Sequence, residues 1–335
     1  TSRTVNAGID FSFFNGRLSG NIDVYVVNTS DLLMSRTVPY MNGYKSIMDN
    51  VGKTRNKGVE IALNSVNFQN NDFSWTTNVN FSLNRDKIIE LRGDGKDDIT
   101  NKWFIGEPLR VFYDYNVVGT WQENETYVEN GHTISWDAES GKFLNEEGKE
   151  YQKGAVPGSA KLEDKDGNGS ITADDKKIIG SKLPSFLLSM GNRFDYKNIY
   201  FSFLLNGVFG QTKELHDYNF DRWMPTYISG MDYWTPENPT NEMTSPAYVP
   251  YDKHSFYKKM NYVNIKNITI GYTFPKTVLS TIGISSLSIN ASVNNLYTFS
   301  NIDNWLNLED NDNNRNILVT YPTARSYMFG LNLTF

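Results

Sequence analysis

Along most of this chain, apolar and polar residues alternate one by one, and this alternation limits the folds that the chain can adopt. In the segment SYMFGLNLTF at 326–335, Tyr327, Phe329, Leu331, Leu333 and Phe335 occupy every second position. Successive side chains of a strand point to opposite faces of a sheet, so one face of this segment is predicted to be apolar. The same period recurs in eight earlier segments: 5–13, 18–26, 59–63, 73–83, 186–196, 199–205, 262–274 and 287–299. An all-β fold with nine strands is therefore expected.

The connections between the predicted strands are alternately short and long. Asn15-Gly16 is a strong hairpin signal, and further short connections lie at 69–72 and 197–198, with a medium one at 275–286. The long connections span about 35–57, 85–184, 207–261 and 300–325. Transmembrane β-barrels have tight turns on one side and long loops on the other. A soluble sandwich also alternates, because one face of each sheet is buried. Aromatic residues near the strand ends and Asn-, Ser-, Thr- and Gly-rich polar faces favour the barrel.

Composition excludes several other classes of protein. The chain has no cysteine, which excludes a disulfide scaffold and a thiolate metal site. Its net charge is −6 and it contains no basic run, so no nucleic-acid partner is expected. The histidines His132, His216 and His254 are too far apart to form a metal or triad motif in sequence. No apolar run approaches the ~20 residues that a membrane helix needs.

Residues 164–175, DKDGNGSITADD, follow the pattern of the twelve-residue calcium-binding loop. Gly169 stands at the sixth position, where the loop turns sharply, and Asp175 stands at the last position, where glutamate is usual. The flanking residues AVPGSAKL do not have the helical pattern of an EF-hand. The sequence predicts an isolated loop that binds Ca²⁺ or, as the alternative, Mg²⁺; a polar loop without metal is the other reading. The predicted ligands are Asp164, Asp166, Asn168, Ser170 (through its carbonyl), Thr172 (through water) and Asp175.

The long connections are rich in aromatic residues. Aromatic rings can stack on the apolar faces of sugars, while neighbouring Asn and Asp side chains bond the hydroxyl groups. The alternative is that these rings pack the loops together or contact a partner protein. Paired carboxylates such as Asp97/Asp98 and Glu146/Glu147 suggest glycosidase chemistry, but adjacent acids in hydrophilic loops are usually solvated charge, and no catalytic residue is predicted. The candidate substrate-binding residues are Trp103, Trp121, Trp223, Tyr233, Trp234 and Trp305.

Nine stretches in order carry a family resemblance: AGIDFSFFNGRLSGNIDVYVVNTSDLL, GKTRNKGVEIAL, FSWTTNVNFSLNRDKIIEL, YDYNVVGTWQ, LEDKDGNGSITADDKKIIGSKLPSF, YWTPENPTNE, YVNIKNITIGYTFPK, INASVNNLYTFSN and YPTARSYMFGLNLTF. Through them, nearly the whole chain resembles the C-terminal third of SusC/RagA-type TonB-dependent outer-membrane transporters of Bacteroidetes. The resemblance implies a transmembrane antiparallel barrel of 22 strands, to which residues 1–335 contribute the last nine. The plug domain of such a transporter would precede this chain.

The resemblance also implies a function and partners. A multi-pass outer-membrane transporter of this type would import oligosaccharides, or peptides in some family members, under a SusD-like lipoprotein lid. The TonB complex would act through the absent N-terminal part, and pairing of two transporters is left open. The apolar strand containing Tyr327, Phe329, Leu331, Leu333 and Phe335 would serve as the signal for the barrel-assembly machinery. A secreted, calcium-stabilised carbohydrate-binding β-protein and a surface glycoside hydrolase are the alternatives.

Overall fold

The computed structural model describes residues 1–37, 43, 46–215, 231–248, 254–279, 284–302, 308–309 and 323–334. A 3₁₀ turn lies at Ala173–Asp175 and a short helix, α1, at Lys276–Leu279. No helix in the described part of the chain is long and apolar enough to cross a membrane. The strands are β1 Ser2–Phe13, β2 Leu18–Thr37, β3 Ser46–Gln69, β4 Phe73–Glu90, β5 Val111–Asp114, β6 Val117–Thr120, β7 Thr126–Glu129, β8 His132–Asp137, β9 Lys142–Leu144, β10 Ala160–Leu162, β11 Lys177–Ser181, β12 Phe186–Tyr196, β13 Ile199–Glu214, β14 Tyr257–Thr273, β15 Ser286–Ser300 and β16 Ser326–Thr334.

Nine long strands form one antiparallel sheet in the order β1-β2-β3-β4-β12-β13-β14-β15-β16. We call this sheet the wall. Each strand pairs with its neighbour in sequence, except that β4 pairs with β12 across the intervening segment. These are the nine strands that the alternation predicts. β1 and β16 are the two edges, since no ladder joins them among the described residues.

The wall strands extend further than their apolar pattern indicates. β2 is 20 residues long and β3 is 24 residues long. The long connection expected at about 35–57 is therefore mostly strand, because the β2–β3 ladder continues from the Thr29–Thr54 pair to the Thr37–Ser46 pair. The starts of the connections expected at 85–184 and 207–261 likewise belong to β4 and β13. Backbone pairing continues beyond the point where the apolar alternation ends, which explains the difference.

The two faces of the wall differ sharply in chemistry. On one face the side chains are apolar and exposed, with Ile9 at 68% and Phe329 at 87% of full exposure. Tyr327, Leu331 and Leu333 lie on the same exposed face, whereas Phe335 is outside the described residues. The opposite face is polar and contains glycines where an aromatic ring crosses from the neighbouring strand. A Cβ at Gly58 would lie 2.1 Å from the Tyr25 ring, which is its direct cross-strand neighbour.

The segment between β4 and β12 is a folded unit, which we call the loop subdomain (residues 91–185). It contains three small sheets, β6–β10, β5–β11 and β7–β8–β9. The β7–β8 turn is Asn130-Gly131, and both residues have positive φ (51° and 89°), as a two-residue hairpin turn requires. The core contains Trp121, whose ring stacks on Phe143 with centroids 4.1 Å apart. The buried members of this core are Trp121, Ile134, Phe143, Tyr151 and Ala155.

A second apolar cluster joins the wall to residues 231–248. Met260 and Tyr262, near the start of β14, pack with Leu215, which follows β13 directly. Met243 from the 231–248 segment completes the contact. This cluster lies at the same end of the wall as the loop subdomain, because Ser255 N and Tyr257 Oη both donate to Asp114 Oδ2 of β5. The loop subdomain and residues 231–248 are thus packed at the same end of the wall.

Candidate functional site

The acidic residues predicted to bind metal converge in the loop subdomain. One carboxylate oxygen from each of Asp164, Asp166 and Asp175 lies within 4.8 Å of the others. Calcium binds oxygen ligands at about 2.3–2.6 Å, so two ligands of one ion lie up to ~5 Å apart. The spacing of the three carboxylates therefore fits a single Ca²⁺ ion. Asp164 and Asp175 are each only 1% exposed, whereas Asp166 is open to solvent.

Asp164 organises the first half of this loop. Its Oδ1 accepts hydrogen bonds from Gly167 N (2.8 Å) and Asn168 N (3.3 Å), and its Oδ2 accepts one from Gly169 N (2.9 Å). Gly169 has φ +77°, and a Cβ there would lie 3.0 Å from His132 Nδ1. The turn therefore needs glycine at this position for backbone conformation and for space. Asn168 Oδ1 accepts hydrogen bonds from the amide (2.9 Å) and the hydroxyl (2.8 Å) of Ser170.

Asp175 closes the loop in spite of its short side chain. Its Oδ1 accepts from Lys165 N (2.9 Å) and Asp166 N (3.2 Å), and its Oδ2 accepts from Thr172 N (2.6 Å). Thr172 caps the 3₁₀ turn at Ala173–Asp175, and its Oγ1 accepts from Asp174 N (3.2 Å). The hydroxyl of Thr172 thus shapes the turn, in addition to any water that it holds. Aspartate fits the twelfth position because the 3₁₀ turn carries its carboxylate inward.

The buried carboxylates of the loop have no cation beside them among the described residues. Lys165 Nζ donates instead to Lys176 O (3.2 Å), and Lys177 Nζ pairs with Glu163 (2.6 Å). Burying an ionised carboxylate is costly unless a counter-charge or several hydrogen bonds compensate it. Backbone amides supply part of that compensation, as described above. A divalent cation held by three carboxylates and the Asn168 amide oxygen would supply the rest, and hard oxygen ligands suit Ca²⁺ or Mg²⁺.

The loop is attached to the β7–β8–β9 sheet at several points. Asn130 Nδ2 donates to Asp164 O at 2.5 Å, and Asn145 Nδ2 donates to Gly169 O at 3.0 Å. Ile171 N donates to Tyr151 O at 2.6 Å, which joins the end of the loop to the aromatic core. His132 Nε2 lies 3.2 Å from Gly167 O. The position of the candidate ligands therefore depends on direct contacts with the β7–β8–β9 sheet.

Glu129 is the residue that links the aromatic core to the first ligand. Its Oε2 accepts from Tyr151 Oη (2.5 Å) and from Asp164 N (3.2 Å). Burial, together with the neighbouring Glu129 carboxylate, raises the pKa of Tyr151, so that the phenol remains a neutral donor. Neither Glu129 nor Tyr151 belongs to the sequence motif. The only hint of them in the sequence is the Asn130-Gly131 hairpin, which predicts that β7 and β8 pair.

His132 is held between the metal loop and a glutamate. Its Nδ1 lies 2.6 Å from Glu146 Oε1, and Thr133 N donates to Glu146 Oε2 at 2.9 Å. The hydrogen bond to Glu146, followed by that to Gly167 O, raises the pKa of His132 above its ordinary value. Glu146 thus has a structural partner. The other acid pair does as well, since Asp98 pairs with Arg92 and Asp97 Oδ1 accepts from Ile105 N (2.7 Å).

The aromatic residues proposed to contact substrate fall into three groups. Trp121 is 0% exposed in the core of the loop subdomain, and Trp234 is buried with its Nε1 donating to Gln122 Oε1 at 2.7 Å. Neither buried indole presents a free face to a sugar ring in this structure, and their assignment to substrate binding stays a prediction. Trp103 and Tyr233 are partly exposed. Trp223 and Trp305 lie outside the described residues.

Comparisons with known proteins agree on the type of fold. Residues 1–296 match the family model "TonB dependent receptor-like, beta-barrel". The chain is similar to TonB-dependent receptor P3 of Formosa agariphila, with 30% identity over 100% of this chain and 34% of the relative. It is similar to TonB-dependent receptor SusC of Bacteroides thetaiotaomicron, with 25% identity over 99% of this chain and 32% of the relative.

A solved structure has the same fold. The structure of the RagAB peptide transporter superposes with a TM-score of 0.69 at 23% identity, over 100% of this chain and 35% of the matched chain. The chain therefore spans about a third of the length of the relatives that it matches.

Proposed function

Because this chain belongs to the TonB-dependent receptor-like β-barrel family, we propose that it forms part of the wall of an outer-membrane transporter. The observation that carries this proposal is the continuous exposed apolar face of the nine-stranded wall. An exposed apolar sheet face is costly in water, whereas in a bilayer it contacts the apolar lipid tails and carries no such cost. About 9–11 residues of a strand cross a membrane, so the 20 and 24 residues of β2 and β3 also project beyond it.

The polar face of the wall would line the passage. Asn21, Asp23, Glu60, Asn80 and Asn206 border one open groove on this face, with a volume of about 650 Å³. Amides and carboxylates of this kind exchange hydrogen bonds with water and with the hydroxyl groups of a passing substrate. Transport in this scheme consists of binding and gated passage, with no covalent step. Edge strands β1 and β16 would pair with further strands of a larger barrel, because an unpaired edge is not tolerated in lipid.

Oligosaccharides are the proposed substrate class. Support comes from the amide-rich polar face of the wall and from the similarity to SusC-type receptors. Peptides are the second candidate, favoured by the similarity to a structure described as a peptide transporter. A SusD-like lipoprotein would cover the end of the wall where the loop subdomain and residues 231–248 lie. TonB would act at the other end, through parts of the protein outside this chain.

Calcium is proposed to occupy the loop at 164–175. When bound, the ion would neutralise Asp164, Asp166 and Asp175 and fix the loop against the β7–β8–β9 sheet. Its role in this proposal is structural, holding the loop subdomain rigid where the lid would close. Asn168 and the carbonyl of Ser170 would complete the oxygen ligands.

Uptake by cells tests the transporter proposal. Cells that carry the full-length protein are compared with a deletion strain and with a strain that lacks TonB, using fluorescently labelled oligosaccharides and peptides. Accumulation of an oligosaccharide only when both the protein and TonB are present is the expected result. Accumulation of peptides alone would favour the second substrate class, and no difference between the strains would contradict transport.

A further inference from the structure

Five exposed basic residues lie on the apolar face of the wall, near the end where the loop subdomain packs. Residues that pair directly across an antiparallel ladder point to the same face of the sheet, and so do residues two positions apart on one strand. Val5 is 59% exposed on the apolar face, so its row and the next row towards the loop subdomain belong to that face. The first row is Val5, Val26, Lys57 and Arg85, and the second is Arg3, Asn28, Arg55 and Lys87. We call the five basic residues the basic patch: Arg3, Arg55, Lys57, Arg85 and Lys87.

The acids on the same stretch of these strands point to the opposite face. Asp23 and Glu60 form one cross-strand pair on the polar face, and Asp86 belongs to another row of that face. The two rows that contain the basic patch therefore include no acid. Lys53, which is further along β3 towards the loop subdomain, shows the contrast, because its Nζ lies 2.5 Å from Glu90 Oε2. Charge is thus sorted by face on these strands, with the unpaired cations on the apolar side.

The basic patch places like charges directly opposite one another. Lys57 of β3 pairs in register with Arg85 of β4, and Arg55 pairs with Lys87. Like charges at directly opposite positions of a sheet are destabilising. Within the described residues none of the five forms an ion pair, and the hydrogen bonds of Arg55 and Arg85 go to neutral oxygens. An anionic group that binds from outside the chain would relieve this repulsion.

The basic patch begins where the apolar band of the wall ends. On β1 the apolar residues of this face occupy every second position of 5–13, and Arg3 is the next residue of the face. This apolar length is close to the ~9–11 residues of a strand that cross a membrane. On β3 the apolar residues Val59, Ile61 and Leu63 end in the same way at Lys57. The patch therefore lies at the level of the lipid headgroups, on the side of the loop subdomain.

The position and charge of the patch restrict its occupant. The occupant carries negative charge, since the patch presents five cations and no acid, and it adjoins exposed apolar side chains such as Val5 and Val24. An anionic headgroup joined to hydrocarbon chains meets both conditions in one molecule. Guanidinium groups bond phosphate oxygens in a bidentate manner, and basic residues beside a bilayer attract anionic lipids. A peptide or a free anion would leave the apolar neighbours of the patch uncovered.

We propose that the basic patch binds the phosphate groups of a membrane lipid whose hydrocarbon chains lie along the apolar face beside it. The proposal rests on the proposed membrane location of the wall and adds a specific lipid contact to it. Arg55 and Lys57 lie at its centre, since β3 is flanked by β2 and β4. A lipid held here would fix the depth of the wall in the bilayer at the end where the loop subdomain packs.

Native mass spectrometry of the purified full-length protein in detergent tests this lipid contact. Three probes are titrated: dioleoylphosphatidylglycerol, dioleoylglycerol, which has the same chains without the phosphate, and inorganic phosphate. We expect the phospholipid to bind more tightly than either of the other two. Arg55→Gln combined with Lys57→Gln should weaken its binding about 25-fold, because each basic residue beside an anionic lipid contributes about fivefold. Arg55→Lys combined with Lys57→Arg keeps both charges and should retain most of the affinity.

The control is Lys96→Gln combined with Lys102→Gln, which changes the net charge equally at two exposed positions of the loop subdomain. It should leave the affinity for the phospholipid within about twofold. Thermal unfolding of the Arg55/Lys57 glutamine variant should occur at the same or a higher temperature, because like-charged pairs are removed. Lost lipid binding is thereby separated from lost folding.

Three results would overturn the proposal: equal affinity for dioleoylglycerol, equal or tighter binding of inorganic phosphate, or unchanged binding of the phospholipid by the glutamine variant. A variant that keeps the lipid but loses a dimer would show that the patch contacts a second copy of the protein. TonB-dependent uptake that persists alongside any of these results would leave the proposed transporter standing. A full-length protein that stays soluble without detergent would instead contradict the membrane wall itself, so the two failures are distinguishable.

Discussion

The wall and the loop subdomain are both built from antiparallel strands, but they place their apolar residues in opposite surroundings. On the wall, Ile9 and Phe329 project from the sheet with most of their surface exposed. In the loop subdomain, Trp121, Ile134 and Phe143 are 0% exposed. A strand with one apolar face needs an apolar partner, and that partner is a packed core in one region and the lipid of the proposed membrane in the other.

This difference separates the forces that stabilise the two regions. The wall is a continuous hydrogen-bonded ladder in which each interior strand pairs on both sides. The loop subdomain has short strands of three to six residues, and its stability depends on its aromatic core and on the attachment of the metal loop. A change in the core or in the metal loop should therefore loosen the subdomain while the wall stays folded.

Removal of the central indole should have the largest effect. Trp121→Ala deletes a fully buried ring that stacks on Phe143, and comparable core truncations cost about 3–5 kcal/mol. We expect hydrogen exchange of residues 111–185 to accelerate in the full-length protein, with exchange in the wall strands unchanged. The matched change Phe329→Ala, on the exposed face of the wall, should leave the subdomain unaffected. Equal loosening of both regions by Trp121→Ala would mean that they are one cooperative unit.

Acid should destabilise the segment that contains His254, at the end of the wall where the loop subdomain packs, because the buried imidazole becomes protonated. Burial lowers the pKa of His254 to about 4, with Lys176 acting in the same direction and Asp114 against it. The unfolded segment binds a proton below its ordinary pKa of 6.5, and the folded segment binds it only near 4. Stability is therefore fully present above pH 6.5 and is lost as the pH falls towards 4, by up to about 3 kcal/mol.

Variants separate this effect from that of other groups. His254→Phe should reduce the acid sensitivity of exchange in residues 254–258, because no hydrogen bond of the imidazole is lost. His132→Gln is the opposing control, since the raised pKa of His132 gives stability that is present at low pH and lost as the pH rises. An unchanged pH profile in His254→Phe would show that another group titrates.

Calcium should protect the loop subdomain and leave the wall unchanged. An ion at 100 times its dissociation constant stabilises the state that binds it by about 2.7 kcal/mol. Limited proteolysis of the full-length protein should therefore cleave residues 150–184 faster in EGTA than in Ca²⁺. Asp164→Asn should abolish the difference, and Asp174→Asn, at an exposed neighbouring position, should preserve it. Identical cleavage with and without Ca²⁺ would exclude the proposed metal.

Loss of one hydroxyl group should have the smallest effect. Tyr151→Phe removes the hydrogen bond to Glu129, which also receives Asp164 N. We expect a loss of about 1 kcal/mol in the loop subdomain and a several-fold weaker affinity for Ca²⁺, measured by titration. If Tyr151→Phe weakens folding but not the affinity for Ca²⁺, Glu129 does not link the core to the loop.

The sequence predicted the parts of this structure that depend on local order. The wall strands have period-two alternation, and Asn15-Gly16 forms a turn between β1 and β2 with both residues at positive φ. All candidate metal ligands lie within twelve consecutive residues, so their spacing alone predicted the cluster.

The remaining features depend on contacts between distant segments. Glu129 and Tyr151 reach the metal loop only through tertiary packing. Trp121 and Trp234 have the same side chain as an exposed tryptophan that binds a ligand. Residue type alone therefore does not show that these two rings are buried.

The most direct test of the account is whether the apolar face of the wall contacts lipid. This chain has no cysteine, so single cysteines can be introduced at neighbouring positions of β1 in a cysteine-free full-length protein and labelled with bimane in proteoliposomes. At Ile9→Cys we expect brominated lipid to quench the bimane fluorescence and water-soluble quenchers to leave it unchanged. At Asp10→Cys we expect quenching by the water-soluble quenchers and none by brominated lipid. Equal quenching by water-soluble agents at both positions, with none by brominated lipid, would contradict a membrane wall.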